Sequence, residues 1–126
     1  VQEQEKLFPI RSLFRAGVSV AGSTDCPIVP PNPLTGVYSA ISRKSESGRT
    51  VGEGEELSLS EALQMYTVNA ARANFEERFK GSITPGKLAD LVVLNGDLST
   101  KSTDEIKDMK IEMTILNGEV VWENRS

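Results

Sequence analysis

The stretch Gly81-Ser-Ile-Thr-Pro-Gly-Lys-Leu-Ala-Asp-Leu-Val-Val-Leu94 has the pattern of a turn followed by a strand. Pro85 and Gly86 form a turn dipeptide, because proline fixes φ at one position and glycine is free to take a positive φ at the next. Residues 88–94 are short, apolar and rich in β-branched side chains, which predicts a strand covered on both faces. Asp90 is the one charge in it, and we expect its carboxylate at the rim or capping a neighbouring backbone N–H.

The same stretch also matches most of a phosphate-binding loop, since Gly81, Gly86 and Lys87 have the Gly-x4-Gly-Lys spacing. Three features argue against that function. Leu88 stands where a Ser or Thr would hold magnesium, Pro85 lacks a backbone N–H, and a strand follows where the motif needs a helix. We therefore interpret the match as accidental.

Length and composition restrict the possible functions. The chain has 126 residues, enough for one ordinary core but fewer than the roughly 200 of a complete (β/α)8 barrel. Its net charge is −4 and its 14 basic residues are scattered, which argues against a nucleic-acid partner. The sequence contains no membrane-length apolar run and no signal-peptide pattern, so we expect a cytoplasmic protein without a membrane partner.

The absence of histidine is the most consequential feature of the composition. Zinc and iron hydrolase sites normally use imidazole ligands, and acid–base catalysis near neutral pH most often uses histidine. Any chemistry that this chain supports alone must do without both. The single Cys26 also excludes an internal disulfide framework.

The N-terminal part predicts one helix-to-strand step of an α/β fold. Apolar residues at helical spacing are followed by Gly17 as a helix stop and by a short strand, Val18–Ala21. The apolar positions are Leu7, Ile10, Leu13 and Phe14.

Asp25 lies in the loop that follows this predicted strand, within Gly22-Ser-Thr-Asp-Cys-Pro-Ile28. In parallel α/β folds, ligand-binding and catalytic groups sit in loops at the carboxyl ends of strands. The alternative is that the Asp25 carboxylate caps the next turn by accepting backbone N–H groups. The residues alone favour the capping role.

Two more helices and a hairpin are predicted downstream. Residues 34–44 carry an apolar helical face, and Ser58 with Glu61 forms a capping box that starts a helix running to about Phe75. Tyr66, Thr67 and Asn69 on the second helix could belong to a site, but helix packing and hydrogen bonds to neighbouring loops suffice to explain them, and we favour that interpretation. Residues 110–116 alternate in polarity, Asn117-Gly118 predicts a tight turn, and residues 119–122 return with Trp122 as a packing residue.

Four motifs in order resemble the metal-dependent amidohydrolases, especially the branch of the N-substituted formamide deformylases and family 3 amidohydrolases. They are Gly-Ser-Thr-Asp-x-Pro at 22–27, Pro-x-x-Gly-Val-Tyr-x-Ala-Ile-x-Arg-Lys at 33–44, Ser-x-x-Glu-Ala-Leu-x-x-Tyr-Thr-x-Asn-Ala-Ala at 58–71 and Gly-x4-Gly-Lys-x-Ala-Asp at 81–90. The resemblance implies an α/β fold in two parts. Residues 1–79 would be the C-terminal part of the (β/α)8 catalytic barrel, with its last strand and helices, and residues 80–126 a portion of the composite β-sandwich.

The resemblance also implies a function and a set of site residues. The family hydrolyses carbon–nitrogen bonds of small amide-type substrates with a divalent metal, most often zinc. Carried over, Asp25 would contact the metal and act as the base for the bound water. Tyr38, Arg43 and Lys44 would face the substrate. The alternative is a surface helix with Tyr38 half-buried and Arg43 and Lys44 as solvated cations.

The departures from the family define the alternative. The family's His-x-His pair, its bridging carboxylated lysine or acid and its two further histidines have no counterpart here. We therefore expect the chain to be the C-terminal segment of an amidohydrolase, inactive and metal-free by itself. The alternative is a non-enzymatic dimerisation or partner-binding module. In either case, unpaired strand edges predict a homo-oligomer for the isolated chain.

Overall fold

A computed structural model describes residues 7–125 as a layer of short helices beside a three-stranded antiparallel sheet. The α/β class predicted from the sequence is therefore confirmed. Residues 1–6, where the predicted barrel part starts, lie outside the described residues. The elements are α1 (Ile10–Arg15), α2 (Pro33–Ser42), α3 (Leu59–Tyr66), α4 (Val68–Ala73), β1 (Leu91–Leu94), a 3₁₀ turn (Leu98–Thr100), α5 (Thr103–Ile106), β2 (Ile111–Leu116) and β3 (Glu119–Glu123).

Helix α2 begins at a residue suited to that position and ends at a left-handed residue. Asn32 caps its N-terminus, with Oδ1 accepting a hydrogen bond from the Leu34 N–H at 3.0 Å, and Pro33 occupies the first turn. Arg43 ends the helix in the left-handed region, at φ 53°. Val37 and Ala40 point from this helix into the core.

Helix α3 starts at the predicted capping box, but the helix does not continue to Phe75. The Ser58 hydroxyl accepts from the Glu61 N–H, and the Glu61 carboxylate accepts from the Ser58 N–H at 2.8 Å. At Thr67 the backbone leaves helical geometry (φ −124°, ψ −99°), and α4 begins at Val68. The Thr67 hydroxyl donates to the Leu63 carbonyl at 2.8 Å, a local bond that competes with the regular helical ladder.

The core lies among the helices and includes Ile106, a side chain from the part of the chain that follows β1. Ala62 is 0% and Val37 1% exposed, and Ile106 of α5 packs with them at 3%. Lys107 follows in the chain and places its Nζ 5.0 Å from the centroid of the Tyr38 ring, a cation–π distance. Helix α5 thus attaches the connection between β1 and β2 to helix α2.

The strand predicted at Val18–Ala21 is not observed, and a barrel remnant is not confirmed. These residues pair with no strand within residues 7–125. Their backbone groups bond to helices instead: the Val18 N–H donates to the Leu13 carbonyl, and the Val20 carbonyl accepts from the Asn69 side chain. A strand requires a hydrogen-bonded neighbour, and here helix partners take that place.

The predicted hairpin is confirmed. Strand β2 pairs antiparallel with both β1 and β3, giving the order β1-β2-β3. Asn117 and Gly118 connect β2 to β3 with φ of 50° and 84°, the positive values that a type I′ turn needs at both central positions. Asp90 caps this turn, since its Oδ1 accepts from the Asn117 N–H at 2.8 Å, as predicted.

The prediction that β1 is covered on both faces is wrong. Val92 is 56% and Val93 43% exposed, although they point to opposite faces of the sheet. Strand β1 is an edge strand of a single antiparallel sheet, and about half of each valine stays uncovered, although Val92 lines the cleft beside the helices. Trp122 on β3, the other edge strand, is 49% exposed and pairs across from Thr114.

None of the helices within residues 7–125 is both long enough and apolar enough to cross a membrane.

Candidate functional site

The segment that leads to Asp25 is anchored to the junction of helices α3 and α4. The Asn69 side-chain Nδ2 donates to the Val20 carbonyl at 3.1 Å, and the Gly22 N–H donates to the Met65 carbonyl at 2.9 Å. The Met65 carbonyl is available because the helix breaks at Thr67 and its regular i+4 ladder is interrupted there. Residues 20–22 are therefore fixed in place three residues before Asp25.

Tyr66 adds a side-chain contact at the same point. A Cβ on Gly22 would lie 2.6 Å from the Tyr66 Cζ, and a Cβ on Gly36 would lie 2.8 Å from that atom and closer still to the hydroxyl oxygen. Both values are below any normal carbon–carbon contact, so a Cβ at either position would force the Tyr66 ring to shift. Burial of the ring raises the pKa of the Tyr66 hydroxyl above its usual range.

Asp25 itself lies in a turn with its carboxylate unpaired. Its N–H donates to the Ser23 hydroxyl at 3.2 Å, and its carbonyl accepts from the Ile28 N–H at 2.9 Å. Its φ is 52°, in the left-handed region where Asp is more frequent than most residues. Among residues 7–125 no hydrogen bond or ion pair reaches the carboxylate, so it does not cap the turn as the alternative interpretation proposed.

Tyr38 and Arg43 lie on α2 and at its C-cap, and neither contacts Asp25 through a hydrogen bond, ion pair or ring contact within the described chain. Tyr38 is half-buried under Lys107. Arg43 is 8% exposed, and its guanidinium donates to the Val51 carbonyl at 2.9 Å and to the Leu7 carbonyl at 2.8 Å. These bonds give Arg43 a structural role, so the expectation of a solvated cation at this position is wrong. A role for either residue toward substrate stays a prediction.

The polar residues Thr67 and Asn69, which the sequence offered as possible site residues, also have structural roles. Thr67 and Asn69 use their side chains on backbone carbonyls, as described above. The Glu61 carboxyl has a lowered pKa because the hydroxyl and N–H of Ser58 donate to it. Glu55 has a lowered pKa for a similar reason, since the hydroxyl and N–H of Ser12 donate to its carboxylate. These shifts belong to helix caps and loop anchors, and catalysis is not needed to explain them.

Two apolar clefts lie next to the Asp25 loop, and Asp25 lines neither. One, of about 700 Å³, lies between the helices and β1 and is lined by Tyr66, Leu63 and Ile83 among others. The second, of about 520 Å³, lies between the proline-rich residues 30–33 and Trp122 of the sheet. The first has the size and apolar character typical of small-molecule pockets.

The donor set does not fit a complete metal site. No group of three or more His, Cys, Asp or Glu side chains in the described part of the chain could hold a metal ion. Asp25 provides one carboxylate, whereas a catalytic zinc normally has three protein ligands. The residues present therefore match at most one ligand of the family's metal centre.

The contact of Tyr66 with Gly22 and Gly36 was not predicted from the sequence. One signal for it was present in the sequence: Gly36 lies inside a predicted helix, where glycine is less stable than alanine by roughly 0.5–1 kcal/mol. A glycine in that position often marks a close approach by another group. The partner could not be identified, because residues 22, 36 and 66 are far apart in sequence.

The helical layer and the three-stranded sheet place the molecule among the α/β proteins, with Asp25 on a loop anchored to the α3–α4 junction. The profile of the amidohydrolase family matches residues 1–122, and the chain belongs to this family. The N-substituted formamide deformylase of Arthrobacter pascens is 35% identical over 122 residues, which cover 97% of this chain and 22% of that protein. The family resemblance inferred from the motifs is thus confirmed.

Two further comparisons agree. YtcJ of Bacillus subtilis (strain 168), named as an amidohydrolase, is 35% identical over 119 residues, or 92% of this chain and 22% of that protein. The crystal structure of an amidohydrolase from Thermotoga maritima MSB8 matches 91% of this chain and 26% of that chain, with a TM-score of 0.69 and 25% identity. The chain therefore spans about a fifth of the length of the two curated relatives.

Proposed function

We propose that this chain is the C-terminal portion of a hydrolase that acts on non-peptide carbon–nitrogen bonds of small amide-type molecules. Membership in the amidohydrolase family supports the reaction class. The deformylase of Arthrobacter pascens, by its printed name, acts on N-substituted formamides. In this proposal residues 1–79 contribute the end of a catalytic barrel, and residues 80–126 contribute one part of a β-sandwich.

The observation that carries the proposal is the unpaired carboxylate of Asp25 on an anchored loop. Residues 20–22 are bonded to the α3–α4 junction, so the loop starts from a fixed point. The carboxylate has no partner among the described residues. A carboxylate held in this way is free to accept a proton from the water that attacks an amide carbon, which is the role of a general base.

The rest of the catalytic centre must come from other polypeptide. This sequence has no histidine, and Asp25 supplies a single ligand to the divalent metal, zinc in our proposal, that the family uses. Tyr38 is proposed to contact the substrate. Arg43 would need to release two backbone carbonyls to do the same.

A second candidate function is a dimerisation or partner-binding module without catalysis. The sheet favours it, since Val92, Val121 and Trp122 expose 56%, 57% and 49% of their surfaces. Uncovered apolar side chains on edge strands promote association. Light scattering at micromolar concentration would distinguish a dimer from a monomer.

The test of the catalytic proposal is a chimera in which this chain replaces the aligned region of the Arthrobacter pascens deformylase. We expect hydrolysis of an N-substituted formamide by the chimera and none by the 126-residue chain alone. Asp25→Asn should lower kcat by about 10²–10⁴-fold, the usual contribution of a general base. Asp90→Asn is the matched control, because Asp90 is engaged at the hairpin turn. Full activity in Asp25→Asn would rule the proposal out.

A further inference from the structure

We infer that Tyr66 is a positioning residue for Asp25, because its ring fills the space between Gly22 and Gly36 and so holds both ends of the loop that carries Asp25. The catalytic meaning of this contact rests on the proposed function of Asp25. The packing itself can be tested independently.

The loop of residues 23–32 has one ring at both of its ends. Gly22 immediately precedes the loop, and Gly36 lies in the first turn of α2, which begins at Pro33 directly after it. The Tyr66 Cζ would lie 2.6 Å from a Cβ on Gly22 and 2.8 Å from a Cβ on Gly36. The start of the loop and the helix that follows it thus both contact the distal end of one side chain, Gly22 at the ring carbons and Gly36 at the hydroxyl and Cζ.

The backbone contacts reinforce the first end of the loop and do not extend into it. Gly22 bonds to the carbonyl of Met65, the residue before Tyr66, so a backbone bond and a ring contact coincide at one residue. Within residues 23–28 the hydrogen bonds are local, from the Asp25 N–H to Ser23 and from the Ile28 N–H to Asp25. The placement of Asp25 relative to α2 therefore depends on the anchor at Gly22.

Partial desolvation of Tyr66 agrees with this packing. Desolvation raises the pKa of Tyr66, and its side chain lines the cleft of about 700 Å³ together with Leu34 and Val37 of α2. No hydrogen bond to the Tyr66 hydroxyl occurs within residues 7–125. The ring carbons thus make the contact with Gly22, and the hydroxyl makes the nearest contact with Gly36.

The first experiment is hydrogen–deuterium exchange of the full 126-residue chain, followed by mass spectrometry of peptides spanning residues 22–28. Tyr66→Ala should accelerate exchange in this segment by about tenfold or more, because the loop loses its anchor. Tyr66→Phe keeps the ring and should change the exchange rate of this segment by less than about twofold. Leu63→Ala is the matched control, since Leu63 lies one turn earlier on α3 and lines the same cleft.

The control decides between positioning and general destabilisation. We expect Leu63→Ala to lower global stability while leaving exchange in residues 22–28 within about twofold of the parent. Equal acceleration by Leu63→Ala and Tyr66→Ala would overturn the inference. No acceleration by Tyr66→Ala would overturn it as well.

A second test does not require Tyr66→Ala to fold. Gly36→Ala places a methyl group against the ring and should lower the urea midpoint. Adding Tyr66→Phe removes the hydroxyl oxygen, the atom nearest to the new methyl group, and should recover part of the loss in the urea midpoint. Gly96→Ala is the control, because its Cβ would meet only ordinary contacts at 3.7 and 3.8 Å from Lys101 and Met109. Strict additivity of Gly36→Ala and Tyr66→Phe would contradict the inferred contact.

The chimera separates this inference from the proposed function. There we expect Tyr66→Ala to lower kcat with KM nearly unchanged, and Tyr66→Phe to restore kcat. If Asp25→Asn leaves the chimera active, the proposed function fails, while the exchange and urea results still decide whether Tyr66 holds the loop. If Asp25→Asn inactivates the chimera and Tyr66→Ala does not, the positioning role fails alone.

Discussion

The helical layer and the sheet use the same apolar residue types but bury them to very different extents. Val37 on α2 is 1% exposed, whereas Val92 on β1 and Val121 on β3 are 56% and 57% exposed. Each strand is held by backbone pairing with its neighbour and by the type I′ turn at Asn117-Gly118. Within the described chain, the helices are therefore stabilised mainly by burial, and the sheet mainly by hydrogen bonds and turn geometry.

This difference has a consequence for how the two regions respond to mutation. Removing apolar atoms from a closely packed core costs free energy in proportion to the cavity left behind. The same change on a half-exposed sheet removes little burial and leaves no enclosed cavity. The predictions below compare matched residues from the two regions.

The largest difference is expected for two methionines. Met65 is 7% exposed in the helical core, so Met65→Ala should lower the free energy of unfolding by about 2–5 kcal/mol. Met113 on β2 is only partly buried, so Met113→Ala should cost less, about 1–2 kcal/mol. Urea denaturation of both variants measures the two values. Equal losses of stability in the two variants would show that Met113 is as buried in solution as Met65.

The point where the chain passes from the helices toward β1 should respond next. Gly81 (φ +92°) and Gly86 (φ +91°) have the same backbone conformation, but a Cβ on Gly81 would lie 2.8 Å from the Ala71 Cβ, whereas Gly86 has open space. Gly86→Ala should cost about 1–2 kcal/mol for the strained φ alone. Gly81→Ala should cost a further ~1–3 kcal/mol for overpacking against α4. Thermal or urea unfolding would detect the difference, and identical costs would mean that α4 moves away freely.

A smaller effect is expected at the start of α3. Ser58→Ala should cost about 1 kcal/mol near neutral pH, because it removes the N-cap bond, and Ser60→Ala on the exposed face is the control. The pKa of Glu61 is lowered in the folded chain by Ser58. That contribution is fully present above the pKa of an unfolded glutamate, near ~4.3, and is lost as the pH falls through the lowered folded value. The gap between parent and Ser58→Ala should therefore shrink in acid, and a gap independent of pH would argue against the Glu61 bond.

The smallest change is expected on the edge strand β3. Val121→Thr should alter stability by less than about 0.5 kcal/mol, since Val121 is 57% exposed. The measurement should be made at low and high protein concentration. A loss of 2 kcal/mol or more that appears only at high concentration would show that this face is covered by a second molecule.

Local chemistry explains which parts of the fold were predictable. The capping box at Ser58, the Asn117-Gly118 turn and the capping by Asp90 involve short-range rules or one charge that needs a partner, and all three are observed. The strand at Val18–Ala21 and a two-sided cover for β1 were predicted incorrectly. The first needs a neighbouring strand and the second needs a layer packed on each face of the sheet. The local sequence pattern does not show whether either partner is present.

The same distinction applies to the candidate site. The sequence predicted Asp25 in a loop that follows a strand; the loop is observed and the strand is not. Its positive φ and unpaired carboxylate follow from the geometry of the whole turn, which residue preferences alone do not define. The contact of Tyr66 with Gly22 and Gly36 joins three distant positions, so only the folded chain reveals it.

Ile106 couples the two parts of the chain that a boundary near residue 80 would separate, so we expect them to unfold together. Ile106 follows β1 in the sequence, yet it is 3% exposed and packs in the core built by α2 and α3. A cut near residue 80 would remove a core residue from one product and expose it on the other. Melting of the intact chain should accordingly follow one transition rather than two, and an engineer seeking separable halves would need to carry α5 with the helices.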